Sequence, residues 1–266
     1  MVVGLVGFLL ATTFWGLGNT VGYHRLLTHR AFVTTWWVRD ALTLMGAAHS
    51  GSPLMWVGLH RLHHAKSDGA EDPHSPIHGF WHAHCGWIIG AKWPPVCLAF
   101  ALSGFGQQAA FLVHDLRRVL GLNPPVWREA CPDLVHLRLM RFLDIPFVMT
   151  LLFTAQIALV GWWASWWGLF WLWCVHVVLT NGSWAVNSFC HWPGFGSESF
   201  PNRDQSRNVA WLAILTFGEA FHNNHHRYPR SAWHGLHDGA DASWWLIRLL
   251  QRVGLAKQIW LPKAYR

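Results

Sequence analysis

Charged residues are absent from Met1 to His24 and again from Ile145 to Ser197, while the intervening and following segments are polar and rich in histidine. About 20 apolar residues cross a bilayer as a helix. The first stretch therefore predicts one span, at about residues 2–22. The second predicts two, at about 145–163 and 167–189, with a short turn over Gly161 to Gly168. A further apolar segment, Ala41 to Leu59, is interrupted by His49, Ser50, Gly51, Ser52 and Pro53, which break a transmembrane helix. It reads as a helix at the membrane surface. Residues 60–143 carry turn signals at Asp72-Pro73-His74-Ser75-Pro76 and Asn123-Pro124-Pro125, with helical pieces expected at 105–120 and 133–143. Beyond His191 a helix is expected from Ala210 through His226. A final amphipathic helix is expected after Asp241 as N-cap, with Trp244, Trp245, Ile247, Leu249 and Leu250 on its apolar side. The predicted class is all-α: one integral membrane domain over 1–266, with spans and a cytosolic helical cap built from 23–143 and 190–266.

Composition sharpens this picture. Only 12% of residues are charged and 52% are hydrophobic, too little charge for an ordinary soluble domain. Many of the 21 Trp cluster around Trp162, Trp163, Trp166, Trp167, Trp171 and Trp173, as in an interfacial belt, and the uncharged run around them argues against a Trp-rich soluble core. The net charge of +7 comes from scattered Arg and Lys without a recognition motif, so nucleic acid is not an expected partner. Basic residues beside the spans fit the positive-inside rule, and Arg25, Arg30 and Arg39 mark the end of the first span as cytoplasmic. The five Cys form no CxxC pair and are expected to be reduced. Without a basic n-region or cleavage site, the first span reads as retained rather than as a signal peptide.

Nineteen His fall largely into three clusters: His24 with His29; His60, His63 and His64; and His222, His225 and His226. Positions i, i+3 and i+4 share a helix face, so each triplet reads as a half-site for metal. His24 and His29, five apart, lie about 140° from each other on a regular helix, and so serve two different ions unless one lies past the helix end. Eight imidazoles gathered without a cation would repel on protonation or lose solvent without gain. Zinc prefers four ligands, often including Cys, whereas eight or more neutral nitrogens suit two five- or six-coordinate ions, and imidazole suits iron. The Glu-x-x-His pairs of soluble di-iron bundles are absent. His49, His114, His136 and His176 take the default structural reading.

These clusters sit in further motifs: Gly22-Tyr23-His24-Arg25-Leu26, Asp72-Pro73-His74-Ser75, His84-Cys85-Gly86-Trp87, Asn187-Ser188-Phe189-Cys190-His191, Gly218-Glu219-Ala220-Phe221-His222 and Ser231-Ala232-Trp233-His234-Gly235-Leu236. With them the chain resembles, from about Asn19 to about Ala256, the membrane fatty-acyl desaturases that act at the ninth carbon, in particular bacterial and cyanobacterial members. The resemblance implies an oxygen-dependent enzyme that introduces a cis double bond, with two non-heme irons (Fe2+/Fe3+) and O2 as co-substrate. It implies His24, His60, His64 and His222 as ligands of one iron, with Asn187 reaching it through water, and His29, His63, His191, His225 and His226 as ligands of the other. No catalytic side chain is expected beyond the metal centre, because an unactivated methylene offers no acid, base or leaving group. Glu219, Asp72, Asp204, Asn223 and Asn224 are candidates to orient imidazoles. Phe8, Thr12 and Trp15 are candidates to line the end of the acyl tunnel. The expected location is a bacterial inner membrane, with the metal site on the cytoplasmic side. Family members carry an additional N-terminal span; counted on this sequence, the passes number three, with the N-terminus outside. Gly58 and Leu59 stand where animal acyl-CoA enzymes have an Arg-Asp pair, so the carrier is open among acyl-CoA, acyl carrier protein and glycerolipid. With no heme or flavin motif in the chain, electrons come from a separate donor such as ferredoxin, cytochrome b5 or a reductase. Two rivals remain: a fatty-acyl or alkane hydroxylase of the same di-iron type, and a non-enzymatic membrane metal or heme carrier.

Overall fold

The structure, a computed structural model, describes residues 2–122, 126–236 and 239–265, so the turn expected at 123–125 lies outside the described residues. Helix α1 (Val2–Leu17) runs straight into a π-helical segment, Gly18–Thr28, and together they make one apolar helix long enough to cross a membrane. Next come α2 (Trp36–Ser50) and α3 (Pro53–Lys66), separated by the predicted break at Gly51 and Ser52, where the Ser52 hydroxyl caps α3 and Pro53 occupies its first turn. A helical stretch, His82–Gly86 with α4 (Trp87–Ile89), is bent by 84° against α5 (Pro94–Leu102). Helices α6 (Gly106–Val119) and α7 (Arg138–Leu143) then lead to the second long apolar helix, α8 (Val148–Phe189).

Although its helical bonding is nearly continuous, α8 is a hairpin. Ser165 leaves helical geometry (φ 56°, ψ −158°), and the rings of Phe153 and His176 lie 4.8 Å apart. In a straight helix those two residues would be about 35 Å apart. The turn therefore falls inside the predicted 161–168 stretch, and Trp162, Trp163, Trp166 and Trp167 stand exposed there. The first arm starts at Val148 rather than 145, because Phe147 takes a left-handed conformation (φ 71°). The two long apolar elements fit a membrane protein.

One expected helix does not form. Residues 210–226 make a 3-10 turn at Ala210–Leu212, then irregular turns, and only α9 (His222–Arg227) is helical. Phe217 and Gly218 have φ of 56° and 99°, incompatible with a helix, and a Cβ on Gly218 would lie 2.4 Å from Asp241 Oδ1. The final helix, α10 (Ala242–Arg252), starts as predicted, with the Asp241 carboxylate accepting from the Trp244 N–H. Ile247 of α10 is fully buried, whereas Trp245 and Leu249 face outward. Two-residue strands β1 (Val33–Thr34) and β2 (Ala256–Lys257) pair antiparallel and close the cap around an otherwise helical fold. All five cysteines are free.

Candidate metal centre

The histidines converge into two adjoining groups. His24, His29, His60, His64 and His225 form one; His63, His191, His222 and His226 form the other; within each, one ring nitrogen per residue lies within 4.8 Å of all the others. This differs from both expectations about the triplets. Neither triplet points into one site: α3 gives His60 and His64 to the five-membered group and His63 to the four-membered one, while α9 gives His222 and His226 to the latter and His225 to the former. The reason is helical geometry, since at about 100° per residue positions i and i+4 nearly eclipse while i+3 swings to the other side. The split implied by the family resemblance changes accordingly: His29 and His225 join His24, and His222 joins His63.

Of the two readings of His24 and His29 the second holds: His29 is the C-cap residue, just past the end of its helix, and not about 140° away on a regular one. Their segment is a π-helix, in which the His29 N–H donates to the His24 carbonyl at 3.1 Å, an i→i+5 bond that brings residues five apart onto one side. Their ring centroids lie 4.7 Å apart, in the same group. His191 enters from just past the end of α8, 1% exposed, with its ring 4.8 Å from that of His222. Asn187 belongs to neither group. It lines both of the neighbouring cavities, and its amide makes no hydrogen bond to the described residues.

Carboxylates stand at the outer nitrogens of four of the nine rings, among the described residues. Asp72 bonds His63 Nδ1 (2.9 Å) and Asp204 bonds His226 Nδ1 (2.6 Å), while Asp68 stands 2.9 Å from His191 Nδ1 and Glu219 stands 2.6 Å from His24 Nδ1. Glu219, Asp72 and Asp204 thus act as expected, and Asp68 is an addition; in sequence it is an ordinary Asp-Gly turn residue. Asn223 and Asn224 do not reach the imidazoles through hydrogen bonds. Asn223 holds the 199–206 loop by its backbone, and Asn224 bonds Asn208 and the His234 carbonyl. His234, whose ring lies 4.5 Å from that of His225, also meets Glu219, at 3.1 Å. Behind them the wholly buried Arg25 donates to Glu219, to Asp241 and to the Ala232 carbonyl, tying the first cluster to the last.

A carboxylate on Nδ1 fixes the tautomer with the proton on Nδ1 and leaves a bare lone pair on Nε2. These bare nitrogens face inward. His24 Nε2 is 3.2 Å from His225 Nε2, and His226 Nε2 is 3.0 Å from His222 Nε2. The buried Nε2 atoms of His29 and His191 have no hydrogen-bond partner among the described residues. Burial, then the neighbouring imidazoles, hold His29, His60, His64, His222, His225 and His226 well below the ordinary histidine value, so the rings stay neutral. Burial opposes the charge on Asp72, but its bond from His63 and the nearby His74 bring its carboxyl down to about 2. Convergent neutral lone pairs ringed by anions fit cations.

Two connected cavities reach this cluster from the apolar side. A wide one of about 390 Å³ and a narrow one of about 70 Å³ share Asn19, His49, Trp56, His60, Ser183 and Asn187. The narrow one touches His24, His60 and His222, and reaches Gly16 and Phe217. From the first helix, Gly16, Asn19 and Thr20 line it; Phe8 and Trp15 instead pack on Trp171 and His176. His49 and His176, given a structural role by default, bond each other through Nδ1 at 2.9 Å.

Comparison with known proteins shows the family. The family model described as fatty acid desaturase matches residues 1–248. The sn-2 palmitoyl-lipid 9-desaturase of Nostoc sp. (strain 36) is 36% identical over 267 residues, covering 97% of this chain and 81% of that protein. The sn-1 stearoyl-lipid 9-desaturase of Synechocystis sp. is 35% identical, covering 97% and 71%, and the Delta-9 acyl-lipid desaturase 1 of Arabidopsis thaliana 34%, covering 96% and 74%. The chain belongs to the fatty acid desaturase family and is an oxidoreductase, an O2-dependent acyl desaturase.

Proposed function

We propose that this member of the fatty acid desaturase family introduces a cis double bond at the ninth carbon of a lipid-borne acyl chain, at a pair of non-heme irons held by His24, His29, His60, His63, His64, His191, His222, His225 and His226. The observation that carries the metal assignment is the convergence of ring nitrogens from nine histidines into two groups, with a carboxylate at Nδ1 of four of the rings. When bound, iron and O2 supply an oxidant able to take hydrogen from an unactivated methylene. Asn187, with its amide unengaged, is suited to hold a water beside the rings that the narrow cavity touches, His24, His60 and His222. The protein's own task is aim. The two cavities meet beside His60, so a chain threaded through both is bent at that point and presents one carbon pair to the imidazole wall.

The carrier follows from the surroundings of the wide cavity. Leu59 lines it where a charged pair would meet an acyl-CoA headgroup. Helix α6 contributes Gln107, Ala110, Phe111 and His114 to the wall, and turns Leu112, Val113 and Leu116 outward. An apolar outer face against the cavity suits entry of a glycerolipid chain from the bilayer. The 9-desaturase names of the relatives support the position. The first helix and the two arms of α8 would cross the membrane, with the imidazoles at its cytoplasmic side. Expression in a bacterial host lacking unsaturated acids, followed by gas chromatography–mass spectrometry with double-bond location, is expected to give 9-cis acids in glycerolipids. Hydroxy acids instead of alkenes would move the assignment to a hydroxylase, and an iron-free purified protein would remove its basis.

A further inference from the structure

Where α7 gives way to α8, a depression of about 450 Å³ opens that shares no lining residue with the two cavities beside the imidazoles. Leu54 of α3 and Val135 line it, together with three guanidinium groups, those of Arg128, Arg138 and Arg141. No carboxylate among the described residues does so.

The positive charge there is not balanced. Arg128 donates to Asp144 at 2.7 Å, and Arg118 pairs with the same carboxylate at 3.5 Å. Asp144 is buried and accepts from Ser52 and Trp127 as well, so its charge is fully engaged. Arg138 and Arg141, three apart on one face of α7, are exposed, and their guanidinium groups make no hydrogen bond or ion pair among the described residues. On its other side α7 sends Met140 and Leu143 into the core, so these two cations are held out on a helix that is itself anchored.

The neighbours of the cations are apolar. Phe142 and Ile145 also line the depression and are half exposed, and Leu151 and Leu152 continue the exposed apolar surface into the first arm of α8. A cationic cleft at the foot of an apolar arm meets both parts of a lipid, its headgroup and its tails. A guanidinium presents a planar fork that takes two phosphate oxygens together, and it keeps its proton. Two exposed cations hold a free anion only weakly in water. A phosphate attached to acyl tails gains in addition from the apolar surface those tails cover.

We propose that this depression binds one anionic glycerophospholipid, with its phosphate at Arg138 and Arg141, Arg128 beside it, and its tails along Phe142, Ile145 and the first arm of α8. The occupant braces the joint between the cap and the arm. The inference rests on the first arm of α8 crossing the membrane and is independent of the metal.

The test uses the full chain in mild detergent, titrated with dioleoyl phosphatidylglycerol and followed by native mass spectrometry. An uncharged galactolipid serves as reference and inorganic phosphate as competitor. One phosphatidylglycerol per chain is expected to bind about tenfold or more tighter than the galactolipid, and to raise the unfolding temperature. Arg138→Gln/Arg141→Gln should lose that preference about tenfold, while unfolding at the parent's temperature when lipid is left out. Arg248→Gln/Arg252→Gln, which removes the same charge from α10, should keep the preference whole. Equal binding by the parent and Arg138→Gln/Arg141→Gln, an equal loss in the α10 variant, or displacement of the lipid by millimolar inorganic phosphate would overturn the proposal. A chain that fails to float with vesicles of neutral lipid after reconstitution would instead refute the crossing of α8, whereas one that floats and shows no preference for phosphatidylglycerol refutes the lipid site alone.

Discussion

The two imidazole groups differ in how they are held. In the four-membered group, three rings have an aspartate on Nδ1: His63 with Asp72, His191 with Asp68 and His226 with Asp204. Among the described residues, only His24 of the five-membered group has a carboxylate on Nδ1, and Glu219 shares its charge with His234 and Arg25. The first arrangement fixes tautomer and orientation ring by ring and is closed to solvent except at His226. The second has more rings, less anchoring, and His29, His60 and His64 partly open. Numbers of donors and rigidity of donors have been traded between neighbouring sites, and the more adaptable one carries the greater contact with the cavities.

That contrast can be broken at several points. The largest effect is expected from His63→Ala or His226→Ala, which remove a ring that nothing else replaces. Product should fall below detection in lipid analysis, and iron, measured by mass spectrometry, should drop; an active, iron-replete variant would contradict the ligand set. Glu219→Gln attacks the single anchor of the other group and leaves the buried Arg25 with Asp241 as its remaining anion. A loss of about 3 kcal/mol is expected in detergent unfolding, since breaking a buried ion network strands a charge. Asp72→Asn should leave the fold in place and weaken metal at the four-membered group by about 10–100-fold. A chelator titration would then show the two groups releasing metal in the reverse of the parent's order, the parent being expected to lose it first from the five-membered group.

The last effect is a pH dependence of the metal-free protein. Folding holds His29, His60, His64 and His225 in one group and His222 and His226 in the other below the ordinary value. The unfolded chain therefore binds more protons once the pH drops under about 6.5, and stability should decline from there downward and stay level above about 7.5. Thermal unfolding at several pH values checks this. A flat profile through pH 5 would mean the rings already find protons in the fold.

Histidine triplets at helical spacing are visible in a bare sequence because i, i+3 and i+4 leave few other readings. What spacing could not say is which of the three turns away, since a 40° and a 60° offset both count as one face until a second helix supplies the other half. His191 is solitary, and Asp68 reads as a turn residue, so neither carries a local signal; both gain meaning from the end of α8 meeting the loop after α3. The helix expected over 210–226 failed on Gly218, whose backbone is dictated by Asp241, more than twenty residues away. The two long apolar helices were legible because their length is written in composition, and the hairpin turn because the second apolar run was twice the length of one crossing helix.

The π-helical segment has a mechanical corollary. Its i→i+5 ladder is less favourable than an α-helix by itself, so something outside must keep it wound. Helix α2 lies directly against it: a Cβ on Gly22 would come within 2.7 Å of the Leu42 carbonyl, backbone against backbone. One added methyl there could not be absorbed by a flexible side chain. It would lever the segment off its support and unwind the turn that sets the rings of His24 and His29 side by side, so the spacing of those rings is set in part by a contact that never touches them.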